Sequence, residues 1–351
     1  MPKAAKYFES AIVVEPFDHE FTNGPVSSAS LDWPSSVPSD ANKRKKNLDS
    51  LLFDCFQFSD DELLLCLFQM FTDLGLVAHF NIPATKLQTF LLRVRKSYRE
   101  VPFHNFRHAF NVTQSCYAFL CQLKLKESFG ELEMLALLVG CVGHDLDHPG
   151  FSNALLKVAR TRLAVRHNDK SVLENHHCGT LFAILSNDEC DILQELTKDQ
   201  FTEFRTIIIE LIFATDLEQH KQHMDTIGKL TREALDEQEN QEARSAARCA
   251  VIKCADLANE IRPDHSLSKQ WAERVMTEFF IQGDLEKERG FPVGFLNDRD
   301  TAKTPSGQIG FINFLCKPLY VAVAKVWPTM QTCVDNLEKN AAVWKEISEQ
   351  S

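Results

Sequence analysis

A chain of 351 residues, 44% of them apolar, can bury one large core or two smaller ones. Its formal net charge of −11 excludes a general nucleic-acid binder, because the surface as a whole repels polyanions and any phosphate-bearing ligand must be held by local positive charge. Eleven cysteines, scattered singly and never as a CxxC pair, exclude zinc-finger and thioredoxin chemistry and read as reduced core residues of a cytosolic, cytoplasmic protein.

The start, MPKAAKYFESAIVVEP, lacks the apolar stretch of a secretory signal, and no segment approaches about eighteen uninterrupted apolar residues, so no transmembrane segment is expected. Residues 1–50 read as a polar, proline-rich extension: Pro16, Pro25, Pro34 and Pro38 stand among Ser, Asn and Asp, followed by the basic run KRKK from Lys43. Residues 51–351 read as one helical domain. Apolar residues recur at helical spacing in DELLLCLFQMFTDLGL, ATKLQTFLLRVRKSYREV, NVTQSCYAFLCQL, ELEMLALLVGCV, FRTIIIELIFATDL, SAARCAVIKCADLA, QWAERVMTEFFIQGDLEKE and IGFINFLCKPLYVAVAKVW. Period-two runs bounded by hairpin turns are nearly absent, which predicts a compact all-α, multi-helix domain. The stretch from Gly290 to Gln308 is rich in turn formers and predicts a mobile loop beside a site.

The polar residues that need explaining follow apolar runs. In CVGHDLDHPGFSNALL, His144 and His148 bracket Asp145 and Asp147 at the end of a core segment, where unpaired polar groups are costly, so they must meet a cation or one another. In VPFHNFRHAFNV, His104 and His108 repeat the four-residue spacing, which on a helix sets both imidazoles on one face. Two such pairs with an adjacent carboxylate form a ligand set suited to Zn²⁺ and other first-row metals. Asp256, after the apolar segment of IKCADLANEIRP, reads by itself as a helix cap or a buried ion pair, and beside the histidines as a further ligand. An HExxH helix is ruled out, since HEFTN at His19 has Asn23 in the second histidine position, and neither a P-loop nor a GxSxG elbow is present.

These residues resemble the catalytic domain of the class I cyclic nucleotide phosphodiesterases. HDLDHPGFSNAL from His144 fits the family's HD-x-x-H signature, and HNFRH from His104, ENHH from Glu174, ATD from Ala214 and GQIGF from Gly307 follow the family's order, over roughly residues 52 to 348. The resemblance implies an all-α fold with a binuclear metal site at the bottom of a pocket formed by several helices. It implies that His108, His144, Asp145 and Asp256 bind a tightly held Zn²⁺, with Asp145 bridging to a second ion, Mg²⁺ or Mn²⁺, completed mainly by water. His104 would be the proton donor, oriented by Glu174, while His148 and Thr215 would touch metal-bound water or the phosphate. Gln308 would hydrogen-bond a purine lying between Phe311 and an apolar wall that includes Val275 and Phe279, with Asn259 in the same pocket. By periodicity alone, Phe311 and Phe279 read as core packing and Gln308 as an exposed residue at a helix start.

The implied reaction is hydrolysis of 3′,5′-cyclic nucleotides, cAMP, cGMP or both, to 5′-monophosphates, terminating a cyclic-nucleotide signal. A bridging hydroxide would attack phosphorus and a histidine acid would protonate the 3′ oxygen. A helical HD-type phosphohydrolase shares the metal chemistry but not the GQIGF segment; a catalytically silent sensor or a helical scaffold would leave the retained polar residues without purpose. The resemblance leaves room for regulatory domains outside this chain and for a homodimer. Two positions depart from the common family pattern: Phe103 stands where many members have Tyr, and Asn111 where Asp is common, with effects expected on affinity or metal binding rather than on activity itself.

Overall fold

The computed structural model describes residues 33–34, 47–237 and 239–350, and among these there is no strand. The extension expected over residues 1–50 therefore falls largely outside the described residues. Two described pieces of it touch the helical body: the Trp33 ring lies 5.8 Å from Phe68, and Leu48 is buried in the core, so the packed region begins a few residues before the boundary expected at 51.

The first helices are α1 (Asp60–Asp73), α2 (Leu76–His79), α3 (Ala84–Ser97), α4 (Phe106–Cys121) and α5 (Glu131–Gly143). The middle of the chain forms α6 (Asn153–Val158), α7 (Arg162–Arg166), α8 (Val172–Leu185), α9 (Lys198–Ala214), α10 (His220–Ile227) and α11 (Arg232–Asp236). The last are α12 (Gln241–Asp256), α13 (His265–Arg289), α14 (Thr304–Phe311), α15 (Lys317–Val326) and α16 (Gln331–Gln350). Their starts are chemically marked. Ser59 and Thr197 form capping boxes with Glu62 and Gln200, and Asn105 and Asn240 accept backbone N–H bonds as N-caps of α4 and α12.

Helix α5 is apolar on every side and forms the centre, with α4, α9 and α12 packed around it. Gly143 makes one of these approaches possible, since a Cβ there would lie 2.9 Å from the Leu181 side chain of α8. Arg248 of α12 enters this core paired: it donates to Glu133 of α5 at 2.7 Å and to Glu210 of α9 at 3.1 Å. This packing points the C-terminal ends of α5 and α12 and the N-terminal end of α4 at one place, which fixes the site.

The stretch Gly290 to Gln308 differs from the expected loop. Its last five residues belong to α14, and the remainder is tied down: Glu286 accepts from the Gly294 N–H at 2.9 Å and from Asn297 Nδ2 at 3.1 Å, and Lys287 pairs with Asp298 at 2.6 Å. Beyond α14, a π-turn at Ile312–Cys316 joins α15, absorbing the missing N–H of Pro318. The resulting run Thr304–Val326 is, among the described residues, the one helical segment long and apolar enough by composition to cross a membrane, with a mean hydropathy of 1.5. It packs on α16 and carries Gln308 into the pocket wall, so its apolar character has a use within the domain.

Candidate active site

The two histidine pairs are not helical pairs. His104 precedes the N-cap of α4, and His144 to His148 form a turn after α5 in which Asp147 adopts a left-handed conformation with φ of 61°. The expected i, i+4 faces are thus replaced by pairs across the two segments. His104 stacks on His148 with ring centroids 4.0 Å apart, and His108 faces His144. The turn is held by Asp147, which receives Arg99 Nε at 2.6 Å and Nη2 at 3.0 Å and lies 2.8 Å from His176 Nε2. Burial alone would raise the Asp147 carboxyl; the bonds from His176 and Arg99 overcome it and hold the group at about 2. Asp147 therefore meets Arg99 and His176, while Asp145 meets the other histidines.

At the floor, Asp256 Oδ1 from the end of α12 lies 3.2 Å from His108 Nε2 and 3.4 Å from His144 Nε2, while Asp145 Oδ2 lies 3.0 Å from His144 Nε2 and 3.4 Å from His108 Nε2. Both Nε2 atoms are buried without a properly directed hydrogen bond. His144 Nδ1 faces the Cys141 carbonyl at 2.8 Å, which fixes its proton there and leaves the Nε2 lone pair pointing at the cluster. Donors about 2.0–2.1 Å from a shared ion in a tetrahedral array stand roughly 3.3 Å apart. The observed separations match that spacing, so these four residues fit a first-row cation. Protons occupy the place when no ion does. Burial opposes charge on His144, but Asp145 and Asp256 raise its pKa well above the ordinary value, and both carboxyls are held well below theirs against their own burial.

Asp145 faces a second group with its other oxygen, 3.7 Å from His177 Nε2, and these two could hold a further ion beside His148, whose Nδ1 accepts the Gly150 N–H and leaves its proton on Nε2. His177 donates from Nδ1 to the Leu146 carbonyl at 2.7 Å, and its pKa is pushed down to about 4, chiefly by burial, so it offers a neutral lone pair. His148 is likewise kept well below its ordinary value, by burial and then by the charge on His104.

His104 corrects the expected role of Glu174. Its Nδ1 is bonded to Glu278 of α13, and the other Glu278 oxygen accepts the backbone N–H groups of Phe103 at 2.9 Å and His104 at 3.2 Å. Burial would lower the His104 pKa; the charge and hydrogen bond of Glu278 outweigh it and lift it to about 9. Glu174 instead receives Asn153 Nδ2 at 3.0 Å, and burial, then the charge of Asp216, raises its carboxyl to about 7. Sequence reasoning missed Glu278 and His177. His177 lay inside a motif already singled out, whereas nothing in RVMTEFF marks Glu278 except an acid inside an apolar helix.

Above the floor opens a cavity of about 440 Å³ lined by His104, His148, Glu174, Thr215, Asn259, Val275, Phe279, Gln308 and Phe311 among others. Every residue expected to act on a ligand thus borders one space. Gln308 is 6% exposed, unlike the exposed helix-start residue that periodicity suggests, and Val275, Phe279 and Phe311 are half-buried against the pocket instead of lost in the core. Thr215 donates its hydroxyl to the Ile212 carbonyl at 2.7 Å, leaving lone pairs toward the cavity. The two departures also have places: the Phe103 ring lies 4.6 Å from that of His108, and Asn111 is buried between Asn259 and Arg262.

A family model described as 3′5′-cyclic nucleotide phosphodiesterase matches residues 103–337, which span the site from end to end. The chain belongs to this phosphodiesterase family. It is 40% identical over 80% of its length to the human high affinity cGMP-specific 3′,5′-cyclic phosphodiesterase 9A, covering 46% of that protein. It is 36% identical over 79% of its length to the mouse 3′,5′-cyclic-AMP phosphodiesterase 4C, covering 42% of it. The chain thus spans less than half the length of these two relatives. Among solved structures it resembles the phosphodiesterase domain of the RhoPDE fusion protein from the choanoflagellate Salpingoeca rosetta, with a TM-score of 0.82 and 33% identity, covering 89% of this chain and 99% of that one.

Proposed function

We propose that residues 51–351 form a catalytic domain that hydrolyses 3′,5′-cyclic nucleotides to 5′-monophosphates. The observation that carries the proposal is the convergence of His108, His144, Asp145 and Asp256 within 3.0–3.4 Å at the floor of a pocket whose walls hold His104 and Gln308. These four would hold a tight ion, Zn²⁺ by the imidazole and carboxylate character of the set, and Asp145 would share a second, Mg²⁺ or Mn²⁺, beside His148 and His177. When bound, such ions supply Lewis-acid charge toward the phosphodiester and lower the pKa of water from about 16 toward about 7.

The chain's own residues do the rest. His104, kept as imidazolium by Glu278 and lining the cavity, would protonate the departing 3′ oxygen, a contribution on the order of 10²–10⁴ in rate. His148, kept neutral beside it, accepts the Gly150 N–H at Nδ1 and so would offer Nε2–H to an anionic phosphate, with Thr215 lining the same cavity. Phe311 against Val275 and Phe279 forms an apolar slot for a flat base and excludes water, and Gln308 closes its end with one donor and one acceptor. Eleven cysteines scattered singly along the chain, with no CxxC pair, support a reducing, cytosolic setting. Purified protein assayed with cAMP and cGMP, with and without a chelator, tests the reading. Chelator-sensitive turnover of at least one nucleotide is expected, with near-complete loss in Asp256→Ala; a metal-replete protein that leaves both intact overturns it.

A further inference from the structure

Behind the pocket wall sits a guanidinium with no acidic partner among the described residues. Arg262 is 1% exposed, and its hydrogen bonds go to the Leu51 carbonyl at 3.3 Å, Gln114 Oε1 at 3.0 Å, Asn111 Oδ1 at 2.6 Å and Ser115 Oγ at 2.7 Å. Every acceptor is neutral. Arginine only donates, so the Asn111 carboxamide has one permitted orientation: turned over, it would set its own N–H₂ against the guanidinium. Its Oδ1 must face Arg262, and its Nδ2 must therefore face Asn259, whose Oδ1 accepts at 3.0 Å. That bond in turn fixes Asn259. Its oxygen is consumed behind the wall, and the group left for the pocket, which Asn259 lines, is the Nδ2–H₂ donor.

We propose that the relay Arg262–Asn111–Asn259 locks a hydrogen-bond donor into the base pocket and makes the site select guanine over adenine. The proposal rests on the cyclic-nucleotide reading above and names the substrate within it. Gln308 can turn over to suit either purine, so it does not choose; Asn259 cannot turn over, so it does. Along the edge carrying the six-substituent and N7, guanine offers two acceptors, O6 and N7, whereas adenine offers N7 beside an N6–H₂ donor. The discrimination lies at the six-position: there the Asn259 donor is accepted by guanine O6, whereas the N6–H₂ of adenine opposes donor with donor. A carboxylate at position 111 would reverse the relay. Asp accepts from both Arg262 and Asn259, so Asn259 would bond backward through Nδ2 and show its oxygen to the pocket.

Two readouts test this on the full chain: kcat/KM for cGMP over cAMP in the metal-replete protein, and equilibrium binding of each nucleotide to chelator-treated protein. Wild type is expected to favour cGMP by at least about tenfold, and Asn111→Asp to lower that ratio by at least about tenfold. Asn259→Asp, which puts an acceptor in the pocket directly, should shift the ratio the same way and serves if the first variant does not fold. An added charge acts on both cyclic phosphates alike, so the ratio isolates the base. A wild-type preference for cAMP, or an unchanged ratio in a variant with an intact melting transition, overturns the relay. Guanine-selective binding without turnover would keep the relay and sink the hydrolytic reading; binding of neither nucleotide sinks both.

Discussion

Glu278→Gln is the change that most sharply separates the proposed acid from a merely buried histidine. Glu278 uses one oxygen to accept the backbone N–H groups of Phe103 and His104 and the other to pair with His104 Nδ1. In the glutamine variant the carboxamide oxygen must keep the two backbone donors, which places Nε2–H₂ against Nδ1 and makes Nδ1 an acceptor. The imidazolium is then lost at both its charge partner and its proton site. With the pKa lifted to about 9 in the wild type, about 90% of His104 is charged at pH 8; at the ordinary value of about 6.5, about 3% would be, a loss of roughly thirtyfold in the acid form. Bound cations lower the scale for both proteins, so the displacement between profiles is the quantity to read. The kcat/KM profile from pH 6 to 9.5 should show the alkaline limb of Glu278→Gln displaced downward by at least one unit, with the rate at pH 8 reduced by about thirtyfold or more. Parallel profiles with rates within about threefold would refute the reasoning.

Glu174→Gln keeps an acceptor for Asn153 and does not touch the His104 pair, so kcat/KM should fall by less than about tenfold with the alkaline limb in place; a loss equal to that of Glu278→Gln would return the orienting role to Glu174. Gly283→Ala puts a Cβ 2.0 Å from the Asn297 carbonyl oxygen, so the loop carrying Leu296 to the pocket must move. Denaturant melts should show a loss of about 2 kcal/mol or more together with a raised KM, and an unaffected KM would contradict the packing. Glu260, 1% exposed with Trp344 Nε1 at 3.1 Å as its side-chain partner, has a carboxyl raised by burial to about 7. The folded chain holds that proton where the unfolded chain has released it, so stability falls as pH rises from about 4.5 through 7. Glu260→Gln should remove that loss, gaining about 1–3 kcal/mol at pH 8 relative to pH 4.5, and the same pH dependence in the variant would count against it. Chelation should lower Tm by several degrees in the wild type and by little in Asp256→Ala, read by thermal melts in both.

Helical periodicity made the architecture legible because the core helices carry apolar residues at helical spacing, whereas the central place of α5 emerged only from the packing of α4, α9 and α12 around it. The four residues whose imidazole and carboxylate atoms lie 3.0–3.4 Å apart stood out because polar side chains beside apolar runs require a partner. What the spacing concealed was local geometry. Four-residue separation suggests helix faces, but Asp147 at φ of 61°, pinned by Arg99 and His176, turns the chain after α5 and exchanges the histidine partners. The His104–Glu278 bond joins residues 174 apart in the chain, and the Arg262–Asn111 bond joins residues 151 apart; no local pattern predicts either. Position 111 drew notice only as a departure from a family habit, and its physical meaning needed the buried arginine behind it.

The most direct test of the central claim is metal content measured together with hydrolysis of cAMP and cGMP in the wild type and in Asp256→Asn, which removes one donor charge at nearly constant shape. The wild type is predicted to carry a tightly held ion and to turn over a cyclic nucleotide, and the variant to lose both in proportion. Undiminished hydrolysis by Asp256→Asn, or by wild-type protein stripped of metal, would contradict the account.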